Sequence, residues 1–171
     1  MDLRTARLRI RRFTSADRAA FVTLMTDAES MRLMPFPPSL RTPEGANELL
    51  TSTIAAYDSA EPKLAFAVEE LASAHFVGFW GLNRLSYEEA EVMYVIAPSM
   101  RDQGYATEVA RAIGEYGTRD LPFRRIVAFI VPENSRSRAA ANRAGFRDRG
   151  LVTNSNFAEP VCEYVFTRAG S

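Results

Sequence analysis

The stretch from Glu91 to Glu108, EVMYVIAPSMRDQGYATE, constrains this chain more than any other. Its opening run of Val, Met, Tyr and Ile reads as a strand that stops before Pro98. Polar residues carry the chain through Arg101-Asp102-Gln103, and Gly104 opens a helix with Ala106, Val109, Ala110 and Ile113 on one face. A strand that turns through glycine into a helix aims the unpaired N–H groups of the first helical turn at whatever lies above the turn. Such a nest of amides suits a phosphate or diphosphate, and so points to a nucleotide-containing ligand. The pattern is not a P-loop, because no Lys-Ser/Thr pair follows Gly-x4-Gly. Nor is it a dinucleotide fingerprint, which needs three glycines where this turn has one.

The rest of the chain supplies a body for that turn. Its 171 residues, 47% apolar and 25% charged, suit one domain spanning residues 1–171 with a sizeable core. Twenty-one basic and 21 acidic residues cancel, which argues against a nucleic-acid partner. The single cysteine, Cys162, excludes an internal disulfide and fits a reducing cytoplasm. The single histidine, His75, has no neighbouring cluster of cysteines or carboxylates, so no metal site is expected. The arginine-rich start raises the question of a transit peptide. However, Leu8 and Ile10 alternate with Arg7, Arg9 and Arg11, the period of a strand rather than of an amphipathic helix. No segment is long and apolar enough for a signal or a membrane span, so a cytoplasmic protein without a membrane partner is expected.

Element by element, a first strand leads to a helix begun by Thr14, Ser15 and Asp17, with Ala20, Phe21, Leu24 and Met25 as its stripe. Met34-Pro-Phe-Pro-Pro38 cannot be regular structure and reads as a loop. Thr42-Pro43-Glu44 opens a second helix reaching about Asp58. Three strand-like runs follow, at 64–68, 76–82 and 91–96, separated by short polar breaks that suit an antiparallel meander. After the glycine-turn helix, residues 125–131 form a continuous apolar run of the kind buried on both faces in a parallel pair. A short helix from Ser135 to Ala144 ends at Gly145, and two strands follow near 146–153 and 161–167. The fold class is therefore mixed α/β, with about seven strands and about four helices.

Three patterns in this order resemble the GNAT superfamily of acyl-CoA-dependent N-acetyltransferases. They look most like its branch acting on the N-termini of ribosomal proteins. The patterns are the opening Ala6-Arg-Leu-Arg-Ile-Arg-Arg-Phe-Thr-Ser-Ala-Asp17, the turn Arg101-x-x-Gly104-x-Ala106, and Asn134-x-x-Ser137 with Gly145-Phe146. Each is weak alone, but their order and spacing cover nearly the whole chain. The resemblance implies acetyl-CoA as co-substrate and a mostly antiparallel sheet splayed at one parallel pair. The pantetheine arm would lie between the strand ending at Ile96 and the strand from Arg125. Pro98 and Pro132, which cannot donate to a ladder, stand just beyond those two strands. The implied cofactor-binding residues are Tyr94, Val95, Ile96, Arg101, Asp102, Gln103, Gly104, Tyr105, Ala106, Thr107, Asn134 and Ser137. The family often has glycine where this chain has Asp102. Aspartate tolerates left-handed backbone, so the turn is expected to keep its shape, with Arg101, Arg136 and Arg138 either offsetting the acid or forming an ordinary solvated face.

Acyl transfer to an amine requires removal of a proton from that amine and delivery of one to the departing thiolate. The resemblance makes Glu91 the base. The alternative is an exposed strand-edge glutamate paired with arginine, and Glu159 and Glu163 are further candidates. Many relatives carry a tyrosine acid where this chain has Ala141, which leaves Ser137 for that role or for helix capping beside Asn134 and Ser135. A backbone N–H near Tyr94 or Val95 would hold the oxyanion. Phe36, Trp80 and Tyr164 are the candidate substrate-binding residues, although aromatic strand residues are more often core. The function expected is transfer of acetyl to a primary amine, on a peptide N-terminus or a small molecule, by a monomer or homodimer. A non-catalytic acyl-CoA sensor is the alternative.

Overall fold

Leu8 and Ile10 are fully buried while Arg9 and Arg11 are half-buried, so the alternation near the N-terminus is that of a strand with one face inward. The computed structural model describes residues 2–167. In chain order the strands are β1 (Asp2–Arg4), β2 (Leu8–Arg11), β3 (Leu64–Glu70), β4 (Phe76–Arg84), β5 (Glu89–Ile96), β6 (Arg125–Ile130), β7 (Arg147–Val152) and β8 (Val161–Thr167). The helices are α1 (Arg18–Thr26), α2 (Ala28–Met31), α3 (Pro43–Ala56), α4 (Tyr105–Arg119) and α5 (Ser135–Ala144). One open sheet runs in the order β1-β2-β3-β4-β5-β6-β8-β7. β5 and β6 run parallel, whereas β1–β2, β2–β3, β6–β8 and β7–β8 are antiparallel. The sequence misses two elements, β1 and α2, because three and four residues are too few to show a period.

The residues gather into two compact units, and β4 and β5 each pass through both. One holds the chain up to Gly81 together with Tyr94–Gln103. Its two longer helices, α1 and α3, begin where the sequence says they should. Thr14 N–H bonds Asp17 Oδ2 at 2.8 Å, and the Thr42 hydroxyl accepts from Gly45 N at 3.1 Å. Phe21, Leu24 and Met25 of α1 are buried, each contributing roughly 1.5–3 kcal/mol by leaving water. Trp80 is closed to solvent with its ring 5.0 Å from Phe66, and Phe21 lies 5.2 Å from Phe13.

The other unit holds Leu82–Met93 and the chain from Gly104. β6 is buried at four of its six positions and pairs along its whole length with β8, from Arg125↔Thr167 to Ile130↔Cys162. Its parallel partners on β5 are Glu89, Ala90 and Glu91, opposite Arg125, Ile126 and Val127. Helix α4 approaches its neighbours closely through two glycines. A Cβ on Gly114 would stand 2.7 Å from the Phe166 ring, and one on Gly117 would stand 2.5 Å from Ile126 Cδ1. Helix α5 ends at Gly145, whose φ of 99° gives the left-handed cap anticipated there.

Candidate functional site

The glycine turn is built from two left-handed residues. After Ile96 the chain makes a 3-10 turn over Pro98–Met100. Arg101 is then extended, Asp102 has φ 61° and Gly104 has φ 81°. Glycine adopts that conformation freely, whereas a residue with a Cβ is disfavoured there by roughly 1 kcal/mol, less for aspartate than for most. Gly104 is the N-cap of α4 and has no side chain with which to occupy the N–H groups of the first turn. Those amides, at the positive end of a fifteen-residue helix, fit a diphosphate.

Arginine side chains brace the turn from within its own unit. Arg101 donates Nε to the Ile96 carbonyl at 3.2 Å and Nη2 to the Ser30 hydroxyl. Ser30 is itself held by Asp27, whose Oδ2 accepts its N–H at 2.8 Å to cap α2. Arg7 donates Nη1 to the Gln103 carbonyl at 2.8 Å. Of the two sequence readings of Arg101, the solvated face gives way to this bracing role. A partner 71 residues distant leaves no trace in the local sequence. Within the same unit, Tyr94 is half-buried while Val95 and Ile96 are buried.

Glu91 stands on β5, only 4% exposed. Burial pushes its carboxyl above the ordinary carboxylate range, and a hydrogen bond with the Asn83 side chain opposes the shift. The alternative of an exposed edge glutamate is thereby corrected. The arginine-paired residue is Glu89, two positions earlier, which meets Arg125 at 2.5 Å. A buried carboxyl whose pKa is raised holds a proton more readily than an exposed one, which suits it to proton exchange.

Asn134 is the N-cap of α5, its Oδ1 accepting the Ser137 N–H at 3.1 Å. That bond uses the Ser137 backbone, and the Ser137 side chain is half-buried. Ala141 is buried in the same helix. The residue after Ser137, Arg138, reaches inward. Its Nε donates to the Tyr164 hydroxyl at 3.2 Å and its Nη1 to the Pro132 carbonyl at 3.3 Å. Tyr164 passes its own hydrogen to Asp148 Oδ2 at 3.0 Å. The Gly150 N–H first, and then Tyr164, hold the Asp148 carboxyl below its ordinary range. Arg138 is therefore tied into the protein rather than standing on a free basic face.

Of the candidate substrate residues, Phe36 is half-buried in its loop, with its ring 6.2 Å from Phe79. Trp80 and Tyr164 are fully closed to solvent and serve the core. The loop around Phe36 is pinned by Arg41, which donates Nε to the Phe36 carbonyl at 2.9 Å and Nη2 to the Met34 carbonyl at 2.7 Å. Glu159 is exposed and Glu163 half-buried. The sequence does not single out Asn83, Ser30, Arg7 or Arg41 for the site, since none sits in a recognisable local pattern. Among the described residues no group of three or more His, Cys, Asp or Glu side chains is placed to hold a metal ion, and no helix is long and apolar enough to cross a membrane.

Known proteins resemble this chain in sequence and in fold. Residues 7–147 match the acetyltransferase (GNAT) domain family. An uncharacterized N-acetyltransferase, YnaD of Bacillus subtilis, is 30% identical over 152 residues, covering 88% of this chain and 85% of the relative. A crystal structure of a GNAT-family acetyltransferase from Bacillus anthracis superposes with a TM-score of 0.80 at 25% identity, over 96% of both chains. A putative ribosomal-protein-serine acetyltransferase from Vibrio cholerae gives 0.78 at 21% identity over 98% of each chain. The spermidine N-acetyltransferase of Vibrio cholerae, solved with CoA and spermine, gives 0.76 at 20% identity over 94% of this chain and 95% of that one. The last two likenesses establish the shared fold.

Proposed function

The chain belongs to the GNAT family of acetyltransferases, and on that premise we propose that it moves an acetyl group from acetyl-CoA to a primary amine, with Glu91 as base and Ser137 as acid. The observation that carries the reading is the pair of left-handed residues, Asp102 and Gly104, that opens the first-turn amides of α4. Acetyl-CoA supplies the thioester-activated acetyl group. The N–H groups from about Arg101 to Ala106 hold the diphosphate, and Asn134 serves the pantetheine arm.

Glu91 takes the proton that the amine sheds as its nitrogen bonds to the acetyl carbon. Burial suits it to that role by raising its affinity for a proton. The Ser137 hydroxyl supplies a hydrogen to the sulfur as the C–S bond breaks. A backbone N–H near Tyr94 or Val95 stabilises the oxygen that gains charge. An α-amine, with pKa near ~7.7–8.0, asks less of the base than a lysine-like amine near ~10.4. The acceptor is a peptide N-terminus or a small-molecule amine, received beside the Phe36 loop.

The test is thiol release from acetyl-CoA across a panel of N-terminal peptides, polyamines and amino acids, with mass spectrometry of each product. A mass gain of one acetyl group on an amine supports the proposal. Binding of acetyl-CoA without turnover of any amine would make the protein a sensor instead.

A further inference from the structure

We propose that Arg41 is a positioning residue for the acceptor. By holding the Met34 and Phe36 carbonyls, it presents the Phe36 ring as a preset apolar wall that selects an amine bearing an apolar side chain over a polyamine. The inference rests on the function proposed above, because that reading receives the acceptor beside this loop.

Three of the five residues from Met34 to Pro38 are prolines, so the segment has few N–H groups with which to tie itself down. Its carbonyls still call for donors. Arg41 supplies two from one side chain, Nε to the Phe36 carbonyl at 2.9 Å and Nη2 to the Met34 carbonyl at 2.7 Å. The first carbonyl belongs to the peptide joining Phe36 to Pro37, and the second to the peptide joining Met34 to Pro35. One rigid guanidinium thus fixes the peptide planes on both sides of Pro35 and Phe36, and the proline ring fixes φ at residue 35. The Cα–Cβ bond of Phe36 is held in one direction. Its ring lies 6.2 Å from that of Phe79, which is buried and 5.2 Å from Phe21.

Arg41 is itself anchored. It ends the short 3-10 turn Pro38–Arg41, which rests on the first residues of α3. The Thr42 hydroxyl donates to the Ser39 carbonyl at 3.2 Å and accepts from Gly45 N at 3.1 Å. A Cβ on Gly45 would collide with the Ser39 carbonyl oxygen, so glycine lets the turn sit that close.

The character of the wall follows from its residues. Leu33, Met34 and Phe36 are half-buried, and Met31 to Arg41 includes two arginines and no acid. The nearest acid before it, Glu29, lies 3.8 Å from Arg32. A second ammonium on the acceptor would meet no carboxylate on this loop, whereas a leucine-like side chain would leave water against the Phe36 ring.

Specificity constants for acetyl transfer to leucinamide, glycinamide and spermidine provide the test. Wild type should favour leucinamide over each of the others by about tenfold or more. Arg41→Gln should cut that preference about fivefold through the KM of leucinamide, with the KM of acetyl-CoA changed by less than about twofold. Arg41→Lys should fall between, because it keeps one donor but not the planar fork. In the Phe36→Ala background, Arg41→Gln should change the preference by less than about twofold, since the arginine acts through that ring. A wild type without the leucinamide preference, an equal loss on both backgrounds, or no loss in Arg41→Gln overturns the proposal.

Nuclear Overhauser contacts between the Phe36 and Phe79 rings give a reading that needs no turnover. They should weaken in Arg41→Gln and partly return in Arg41→Lys, and unchanged contacts likewise overturn the proposal. Were wild type to acetylate no amine of the wider panel, the proposed function would fall, while the ring contacts would still decide whether Arg41 sets Phe36.

Discussion

Asn83 holds Glu91 through a side-chain hydrogen bond, and two influences act in opposite directions on one proton: burial raises the Glu91 pKa and the bond from Asn83 restrains the rise. Asn83→Ala therefore lets the pKa climb further. Because the base works only when ionised, the acidic limb of the kcat/KM profile should move to higher pH. A limb that stays in place would separate Glu91 from the rate-limiting ionisation.

Glu91→Gln should lower turnover by about 10²-fold or more while leaving CoA affinity nearly unchanged. It should also make the protein more stable. A carboxyl whose folded pKa lies above its unfolded value binds its proton more tightly when folded, so ionisation opposes folding. That penalty is fully present above the raised pKa and disappears below the ordinary carboxylate value. Thermal melts near neutral pH and below the carboxylate range should thus show the Glu91→Gln variant melting above wild type in the first case and level with it in the second.

Asn134→Ala removes the cap from α5 and should cost about 1 kcal/mol, or roughly 2–4 °C in Tm for a chain of this size. Asn134→Asp keeps the acceptor oxygen and should retain most of that stability. Ser137→Ala keeps the capped N–H and loses only the hydroxyl, so its defect should appear in the rate of thiol release. Rapid-mixing kinetics with a thiol reagent would check it, and unaltered rate constants would leave Ser137 a capped residue with no part in transfer.

Tyr164→Phe leaves the ring in the core but deletes the hydroxyl that accepts from Arg138 and donates to Asp148. A loss of about 1 kcal/mol in chemical denaturation is expected, with the slope unchanged. A neutral result would show that Arg138 and Asp148, already 3.8 Å apart, close up without the tyrosine.

What the sequence discloses is what a short window can encode. The Thr14, Thr42, Gly104 and Gly145 signals each concern a backbone group within a few residues, and each element they bound is present. The left-handed backbone at Asp102 is foreseeable for the same reason. The interior of the site is less accessible. Whether Glu91 or Glu89 meets an arginine depends on which strand lies beside β5, and the strand beginning at Arg125 is far along the chain. The Arg7–Gln103 and Arg101–Ser30 bonds have no local signature at all, since a surface arginine looks alike whatever it reaches. Trp80 and Tyr164 show the converse limit: aromatic residues on strands suit a pocket wall and a packed interior equally, and here the interior holds them.

Gly114 and Gly117 have a bearing on how this enzyme can change. Phe166 and Ile126 fill the space that any larger residue there would occupy. Gly114 lies about ten residues, or about 15 Å of helix, from Gly104. A methyl group added so far back would lift the rear of a stiff rod and tilt its front, where the diphosphate amides lie. Drift in this lineage should therefore be slower at two inconspicuous glycines on the buried side than in the loop around Phe36, whose residues can vary without tilting that helix.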